Sequence, residues 1–367
     1  MKIPDFAPLP ASLPATVPFT GPETLQRRRG QPFVARLGAN ENGFGPSPAA
    51  LAAMQQAATE VWKYADPDSY DLRHALAAHH GIAPESVLVG EGIDGLLGLL
   101  VRLMVAPGDA VVTSAGAYPT FNYHVAGFGG VLHTVPYNHD AEDPEALTAK
   151  AAQVGARLVY IANPDNPMGS WLEGHRIAAM RDRLPENSLL VLDEAYAEFA
   201  PDAAQAHIPA TDPRVIRLRT FSKAYGMAGA RVGYAIAHPD LIAGFDRIRN
   251  HFGLNLIGQR GALAALADQD WLGHIRAQVE AARNRINAIA ADNGLVALPS
   301  ATNFVAVDCG GDGAFARRVL DELEKRDIFV RMPGVAPMNR CIRISCGPDA
   351  ELDALAAALP GALTAAR

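Results

Sequence analysis

Beyond residue 36 the chain alternates between short, nearly continuous apolar runs and longer stretches whose apolar residues recur every three or four positions. The runs at 86–90, 110–113, 130–136, 158–162, 189–192, 215–218 and 232–237 are predicted strands. Two of them, LVYIA at 158–162 and LLVL at 189–192, have no polar face, as expected of strands covered on both sides. Between strands, Leu96, Leu99, Leu100 and Leu103 set a helical period over 93–105, and 144–154 reads as another helix. Pro107-Gly108-Asp109 supplies a turn. This alternation predicts an α/β fold with a largely parallel sheet. From about His251 the pattern changes: 257–291 is helix-rich, and strands at 303–307, 328–330 and 341–345 flank a helix over 313–325. The chain is therefore divided into an N-terminal arm (1–36), a large α/β domain (37–250) and a small α+β domain (251–367). The arm carries Pro4, Pro8, Pro10, Pro14, Pro18 and Pro22, a spacing that predicts an extended segment lying on another surface or staying loose.

Length agrees with this division, since 367 residues suit about two domains. Thirty-two Lys and Arg against 39 Asp and Glu give a net charge of -7, which argues against a binder of nucleic-acid backbones. Three cysteines, Cys309, Cys341 and Cys346, are too few for a disulfide framework or a zinc site. A reducing cytoplasm is the expected setting. The longest apolar stretch, 95–106, is broken by Arg102 and falls well short of the roughly 20 residues a membrane span needs.

Candidate chemistry gathers at predicted strand ends. Gly90-Glu91-Gly92-Ile93-Asp94-Gly95 has the spacing of a dinucleotide fingerprint, yet the acidic residue expected about 20 positions on is missing: Asp109 precedes the second strand. The turn is either a simple tight turn or a cup whose free N–H groups meet a phosphate. Of the five lysines, Lys2 lies in the arm, Lys63 in a loop, and Lys150 and Lys325 on charged helix faces. Lys223, in Thr220-Phe221-Ser222-Lys223, follows a buried strand, where α/β folds place ligands. It is a solvated surface lysine, or an amine made nucleophilic by burial. Asp193 ends LLVL and calls for a cationic partner, in a structural salt bridge, a helix cap or a ligand site. Asn163-Pro164-Asp165-Asn166-Pro167-Met168-Gly169 fixes a rigid loop presenting Asn166. Amide, carboxylate, lysine and phosphate cup together suit a cofactor with an aldehyde, a basic ring nitrogen and a phosphate, and pyridoxal 5'-phosphate has all three.

The sequence resembles the class I/II, fold-type I aminotransferases, most closely the histidinol-phosphate aminotransferases, from about Leu37 to Ala357. The motifs that carry the resemblance are Asn40-Glu41-Asn42 with Gly45-Pro46-Ser47-Pro48; Tyr64 with Asp66 and Leu72-Arg73; the run from Asn163 to Gly169; Val191-Leu192-Asp193-Glu194-Ala195-Tyr196; Thr220 to Lys223; Arg231; and Cys341-Ile342-Arg343-Ile344. The resemblance implies that Lys223 bonds the cofactor aldehyde and moves the substrate's Cα proton. It implies that Asp193 keeps the ring nitrogen protonated, and that Asn166 and Tyr196 donate to the phenolic oxygen. Ile93, Asp94, Ser222 and Arg231 would cradle the phosphate, and Phe121 would stack on the ring. Tyr64 would reach the phosphate in a neighbouring subunit, hence a homodimer with shared sites. Arg343 would clamp the substrate's anionic group, helped by Arg331, with Asn40 also on the substrate side.

The implied reaction is a ping-pong transfer of an amino group between histidinol phosphate, or a related aromatic or imidazole donor, and 2-oxoglutarate. A decarboxylase of the same fold, like the threonine-phosphate decarboxylases, would use the same lysine and carboxylate. Rivals of other classes are a cofactor-sensing regulator, for which the arm offers no helix-turn-helix, and a nicotinamide enzyme. The sequence departs from the family at Gly43 and Ala65, where prolines are usual, and at Phe19 and around His251-Phe252, where tyrosines are usual. The departures bear on substrate phosphate recognition and leave the cofactor residues in place.

Overall fold

A computed structural model describes residues 3–15 and 19–367. Lys2 lies outside the described residues, as does Pro18 of the arm. Twelve strands run in chain order among the described residues: β1 Ala35–Arg36, β2 Val87–Gly90, β3 Ala110–Ser114, β4 Val131–Val135, β5 Leu158–Ala162, β6 Leu189–Asp193, β7 Val215–Thr220, β8 Gly233–Ala237, β9 Val296–Ala297, β10 Phe304–Asp308, β11 Ile328–Phe329 and β12 Cys341–Ser345.

Seven strands form one sheet in the order β2-β8-β7-β6-β5-β3-β4. The five strands from β7 to β4 are mutually parallel, whereas β8 runs antiparallel to both β7 and β2. Every residue of β5 and β6 is buried, as their apolar runs require. One face is covered by helices Gly92–Met104, Pro119–Gly127 and Pro239–Phe245, through Leu96, Leu100, Val125 and Phe245. The other is covered by helices Pro144–Val154 and Gly174–Arg183, through Leu147 and Ile177.

Strand order reverses between β3 and β5, the position at which open α/β sheets hold ligands. These two strands pair only at Val111–Leu158 and Val112–Val159. Beyond that rung a buried carboxyl joins them: Glu142 accepts from Ser114 Oγ at 2.6 Å and from the Ala162 N–H at 2.8 Å. Burial, with Asp165 nearby, pushes the Glu142 carboxyl well above its usual range.

C-terminal to helices Leu256–Ala267 and Gln269–Asp292, β9, β10 and β12 form a three-stranded antiparallel sheet. The short β1 pairs in parallel with β11, tying the N-terminal stretch to this later part of the chain. The arm is not, as its prolines led one to expect, extended throughout. Pro8–Ser12 and Pro22–Arg29 are helical, each with proline in the first turn, where its missing N–H costs nothing. The second helix ends at Gly30 in the left-handed conformation (φ 76°), and Arg29 and Gln31 both bond Asp327 on the same chain. No helix among the described residues is long and apolar enough to cross a membrane.

Candidate active site

A cavity of about 640 Å³ opens at the C-terminal ends of β3, β5, β6 and β7. Its polar lining includes Asn40, Asp94, Asn166, Asp193, Tyr196, Ser222, Lys223, Arg231, Arg331 and Arg343, with Ile93 beside Asp94. Of the thirteen residues singled out above, eleven meet in this one space, and Phe121 and Tyr64 do not.

The anion cup is built from three segments. Helix Gly92–Met104 starts at the cavity wall, so its first N–H groups and its positive dipole end face inward at Ile93 and Asp94. Gly92 has φ +77°, and a Cβ there would meet an Arg231 guanidinium nitrogen at 2.4 Å. Only glycine lets that guanidinium close over the helix start. Arg231 is itself left-handed (φ 57°) and donates to Ser222 Oγ at 3.4 Å and to the carbonyls of Ala228 and Glu91. Thr220 Oγ1 fixes Ser222 from the end of β7.

Lys223 is half-buried at the cavity wall, and its Nζ donates to the Asn40 carbonyl at 3.1 Å. Burial first, then the positive charge of Arg343, lowers its amine to about 8. Asn40 is held in a left-handed conformation (φ 54°) by Ser345 Oγ and by the Asn303 amide. Its own amide donates to Tyr196 Oη at 3.0 Å, which leaves the phenolic proton of Tyr196 to donate elsewhere. Asn166 accepts from Arg343 through Oδ1, which likewise leaves its NH₂ group as a donor.

Asp193 is buried at the end of β6, accepting from Tyr160 Oη at 2.7 Å and the Ala195 N–H at 2.9 Å. Burial raises its carboxyl to about 6 in spite of these bonds. Two arginines guard the opposite side of the cavity. Arg343 lies over the Phe304 ring at 5.1 Å, and its buried Nε has no partner among the described residues. Arg331 pairs with Arg343 through the backbone and donates from its guanidinium to the Thr20 carbonyl at 2.7 Å. Burial lowers the pKa of both guanidinium groups.

Phe121 is placed differently from the expectation. It is fully buried and stacks on Tyr160, with centroids 4.7 Å apart and planes at 18°. With Val125 it forms the apolar face by which its helix meets the sheet, so it cannot also face the cavity. The aromatic in the cavity wall is Tyr118, the residue capping that helix, whose hydroxyl donates to Asp94 at 2.6 Å. Tyr64 is 81% exposed, lies against Phe252 at 4.8 Å, and does not line this chain's own cavity.

These groups fit a pyridoxal phosphate: a dianion-sized cup, a buried carboxylate in need of a cationic nitrogen, and a desolvated amine. Such a set on this sheet defines an enzyme of the vitamin-B6-dependent transferase kind. Over residues 34–359 the chain matches the family of class I and II aminotransferases, and it belongs to that family. It is 57% identical to the crystallised histidinol-phosphate aminotransferase of Sinorhizobium meliloti, solved in complex with pyridoxal-5'-phosphate. The two superpose with a TM-score of 0.95 over 99% of this chain and 98% of that one. Histidinol-phosphate aminotransferase of Anaeromyxobacter sp. (strain Fw109-5) is 36% identical over 344 residues, 92% of this chain and 93% of the relative. At 20% identity, the aspartate aminotransferase of Thermus thermophilus shares the fold, with a TM-score of 0.83 over 98% of this chain and 100% of that one.

Proposed function

We propose that the chain is a pyridoxal-phosphate-dependent histidinol-phosphate aminotransferase, cytoplasmic and homodimeric, that exchanges an amino group between histidinol phosphate and 2-oxoglutarate. The observation that carries the reading is the joint placement of Lys223, Asp193, the Ile93–Arg231 cup and two cavity arginines in one pocket. The names of the relatives favour transamination over decarboxylation.

The cofactor, when bound, supplies an electron sink for the bond broken at Cα. The protein does the rest. The helix start, Ser222 and Arg231 would hold its phosphate, and Asp193, fixed by Tyr160, would hold its ring nitrogen. Asn166 and Tyr196 would donate to its phenolic oxygen. Tyr118, rather than Phe121, is the cavity aromatic that would cover the ring. Lys223, with an amine near neutrality, holds or releases a proton at Nζ and so serves as acid and base at Cα. Arg343 offers a planar fork suited to either a carboxylate or a phosphate.

Steady-state assays with histidinol phosphate and 2-oxoglutarate test this reading. Stoichiometric glutamate without carbon dioxide is expected; carbon dioxide release would point to the decarboxylase. In the same assay Arg343→Lys keeps the charge and loses the fork, so kcat/KM should fall by the equivalent of about 1.5–3 kcal/mol. An unchanged value would remove Arg343 from substrate binding.

The exposed Tyr64–Phe252 pair supports a second copy as its cover. Tyr64 would then complete the partner's phosphate site. Mixed dimers of Tyr64→Ala and Lys223→Ala chains should recover activity, because one of the two sites has both residues intact. Verified heterodimers with no activity would count against shared sites.

A further inference from the structure

The connection after β4 carries a rigid finger. Asn138 and Ala141 exchange backbone hydrogen bonds at 2.9 and 3.1 Å, closing a two-residue turn. Its central residues, His139 and Asp140, are both left-handed (φ 47° and 62°). Non-glycine residues in that conformation are uncommon, and they gather at clamps and active sites. The residues on either side of the turn are anchored to the large sheet and its loops. Tyr137 Oη donates to Asp165 at 2.7 Å, and Glu142 accepts from Ser114 Oγ and the Ala162 N–H. Asp140 therefore projects from a fixed base.

The finger meets the loop that bears the two cavity arginines. Arg331 and Arg343 face each other across an antiparallel bridge, and between them Met332, Pro333, Gly334 and Val335 line the cavity. Arg340 stands three residues before Arg343. It donates from Nε to Asp308 Oδ2 of β10 at 2.7 Å. Its two Nη groups donate to the two Asp140 carboxylate oxygens at 3.0 and 2.7 Å. Such a fork fixes direction as well as distance. The same loop also touches the large sheet at Gly116 (φ +93°), where a Cβ would meet Met338 Cε at 2.6 Å. That contact is apolar and non-directional, so the angle of the loop is set by the fork.

We propose that Asp140 is a positioning residue for the amino-group exchange: through Arg340 it fixes the loop that carries Arg331 and Arg343, and so sets where their guanidinium groups meet the substrate's anion. The proposal rests on the reading of those two arginines as the substrate's anion grip. Neither Asp140 nor Arg340 is among the described residues that line the cavity, so both act at one remove. Half-exposed ion pairs contribute little to stability on their own, and the pair is expected to show in substrate grip rather than in folding. Histidinol phosphate brings a phosphate and 2-oxoglutarate a carboxylate to the same arginines, so both half-reactions should feel the change. An amine with no anionic group should not.

The test uses the holoenzyme and Asp140→Asn, which removes the charge and tolerates the left-handed turn. For histidinol phosphate and for 2-oxoglutarate, KM should rise about tenfold with kcat within about twofold, the scale of a small misplacement of a binding group. The single-turnover half-reaction with histidinol, which lacks the phosphate, should stay within about twofold of wild type. Equal losses with histidinol and histidinol phosphate would mark Asp140 as merely structural and overturn the proposal, as would no loss at all. Arg340→Met should weaken the same substrates, and the double variant should be no worse than the worse single one. Multiplying losses would show that Asp140 does not act through Arg340 and overturn the proposal. Refusal of histidinol phosphate by wild type would overturn the proposed function but not decide this one. Maleate, an unreactive dicarboxylate, then reports the arginine grip directly. Its affinity should fall about tenfold in Asp140→Asn, and equal affinity in both proteins would remove the positioning role.

Discussion

Lys223→Ala should fold, dimerise if the wild type does, and lose turnover by about 10⁴-fold or more. Acid–base catalysis by one positioned group accounts for about 10²–10⁴, and here the same side chain also anchors the cofactor. The fold should survive because among the described residues the ammonium makes one hydrogen bond, to the Asn40 carbonyl, and Asn303 still caps that oxygen at 3.1 Å. Borohydride treatment followed by peptide mass spectrometry should attach the cofactor to Lys223 in wild type and nowhere in the variant. The pH dependence has a definite sign. Burial lowers the amine from 10.5 to about 8, so the nucleophilic neutral form is the minority below pH 8 and the majority above it. The rate at which cofactor-free protein captures pyridoxal phosphate should therefore rise through about pH 8 and level off beyond it. A rise centred near 10 instead would mean that the amine is solvated, as the rival reading of a surface lysine holds. More than a trace of activity in the alanine variant would take Lys223 out of the chemistry altogether.

Why Lys223 and Asp193 were legible in the sequence, and Tyr118 was not, has a physical basis. A strand covered on both faces announces itself as an unbroken apolar run, and the residue just past its end must lie at the sheet edge. LLVL therefore places Asp193, and the strand before Phe221 places Lys223, without any knowledge of the rest of the fold. The choice within Tyr118-Pro119-Thr120-Phe121 is of another kind, because it depends on which face of a short helix turns toward the sheet. Phe121 and Val125 take that face together, and only the tertiary packing shows that they do. The same limit hid Tyr160. Inside LVYIA it reads as one more core residue, yet its hydroxyl crosses to the neighbouring strand and holds Asp193. Glu142 carried no local signal at all, since its partners lie 28 and 20 residues away, at Ser114 and Ala162. In the arm, proline spacing was read as extension, whereas Pro8 and Pro22 occupy first turns of helices that proline tolerates. Strand ends shift by one or two residues and change nothing in the site.

Asp193→Asn should keep the cofactor but lose about 10²–10³ in kcat, the scale of removing one preorganised electrostatic contact from a buried reacting centre. The comparison with its neighbour in sequence shows why. Alternation along the strand end sends the two carboxyls to opposite environments. Glu194 meets Arg217 and Arg219 at 3.0 and 2.8 Å, and these two cations outweigh the cost of burial and bring its pKa down to about 2. Among the described residues Asp193 has only neutral donors, the Tyr160 hydroxyl and the Ala195 N–H, and burial keeps its carboxyl near 6. The salt bridge that strand-end carboxylates often make is thus formed by Glu194, and Asp193 is left facing the cavity without a cation. A protonated ring nitrogen is the partner that would hold it ionised, and the ionised form in turn raises the basicity of that nitrogen. Asparagine keeps the shape and can still accept from Tyr160 or Ala195, but it brings no charge, so the nitrogen would lose its proton and the electron sink would weaken. Two measurements separate this from simple damage to the site. Cofactor affinity by equilibrium dialysis should change little, since the phosphate cup of Ile93, Ser222 and Arg231 is untouched. Turnover with a cofactor whose ring nitrogen is permanently methylated, and so positively charged without a proton, should restore a substantial part of the lost rate. Turnover near wild type in Asp193→Asn with the natural cofactor would show that the carboxylate does not tune the ring nitrogen.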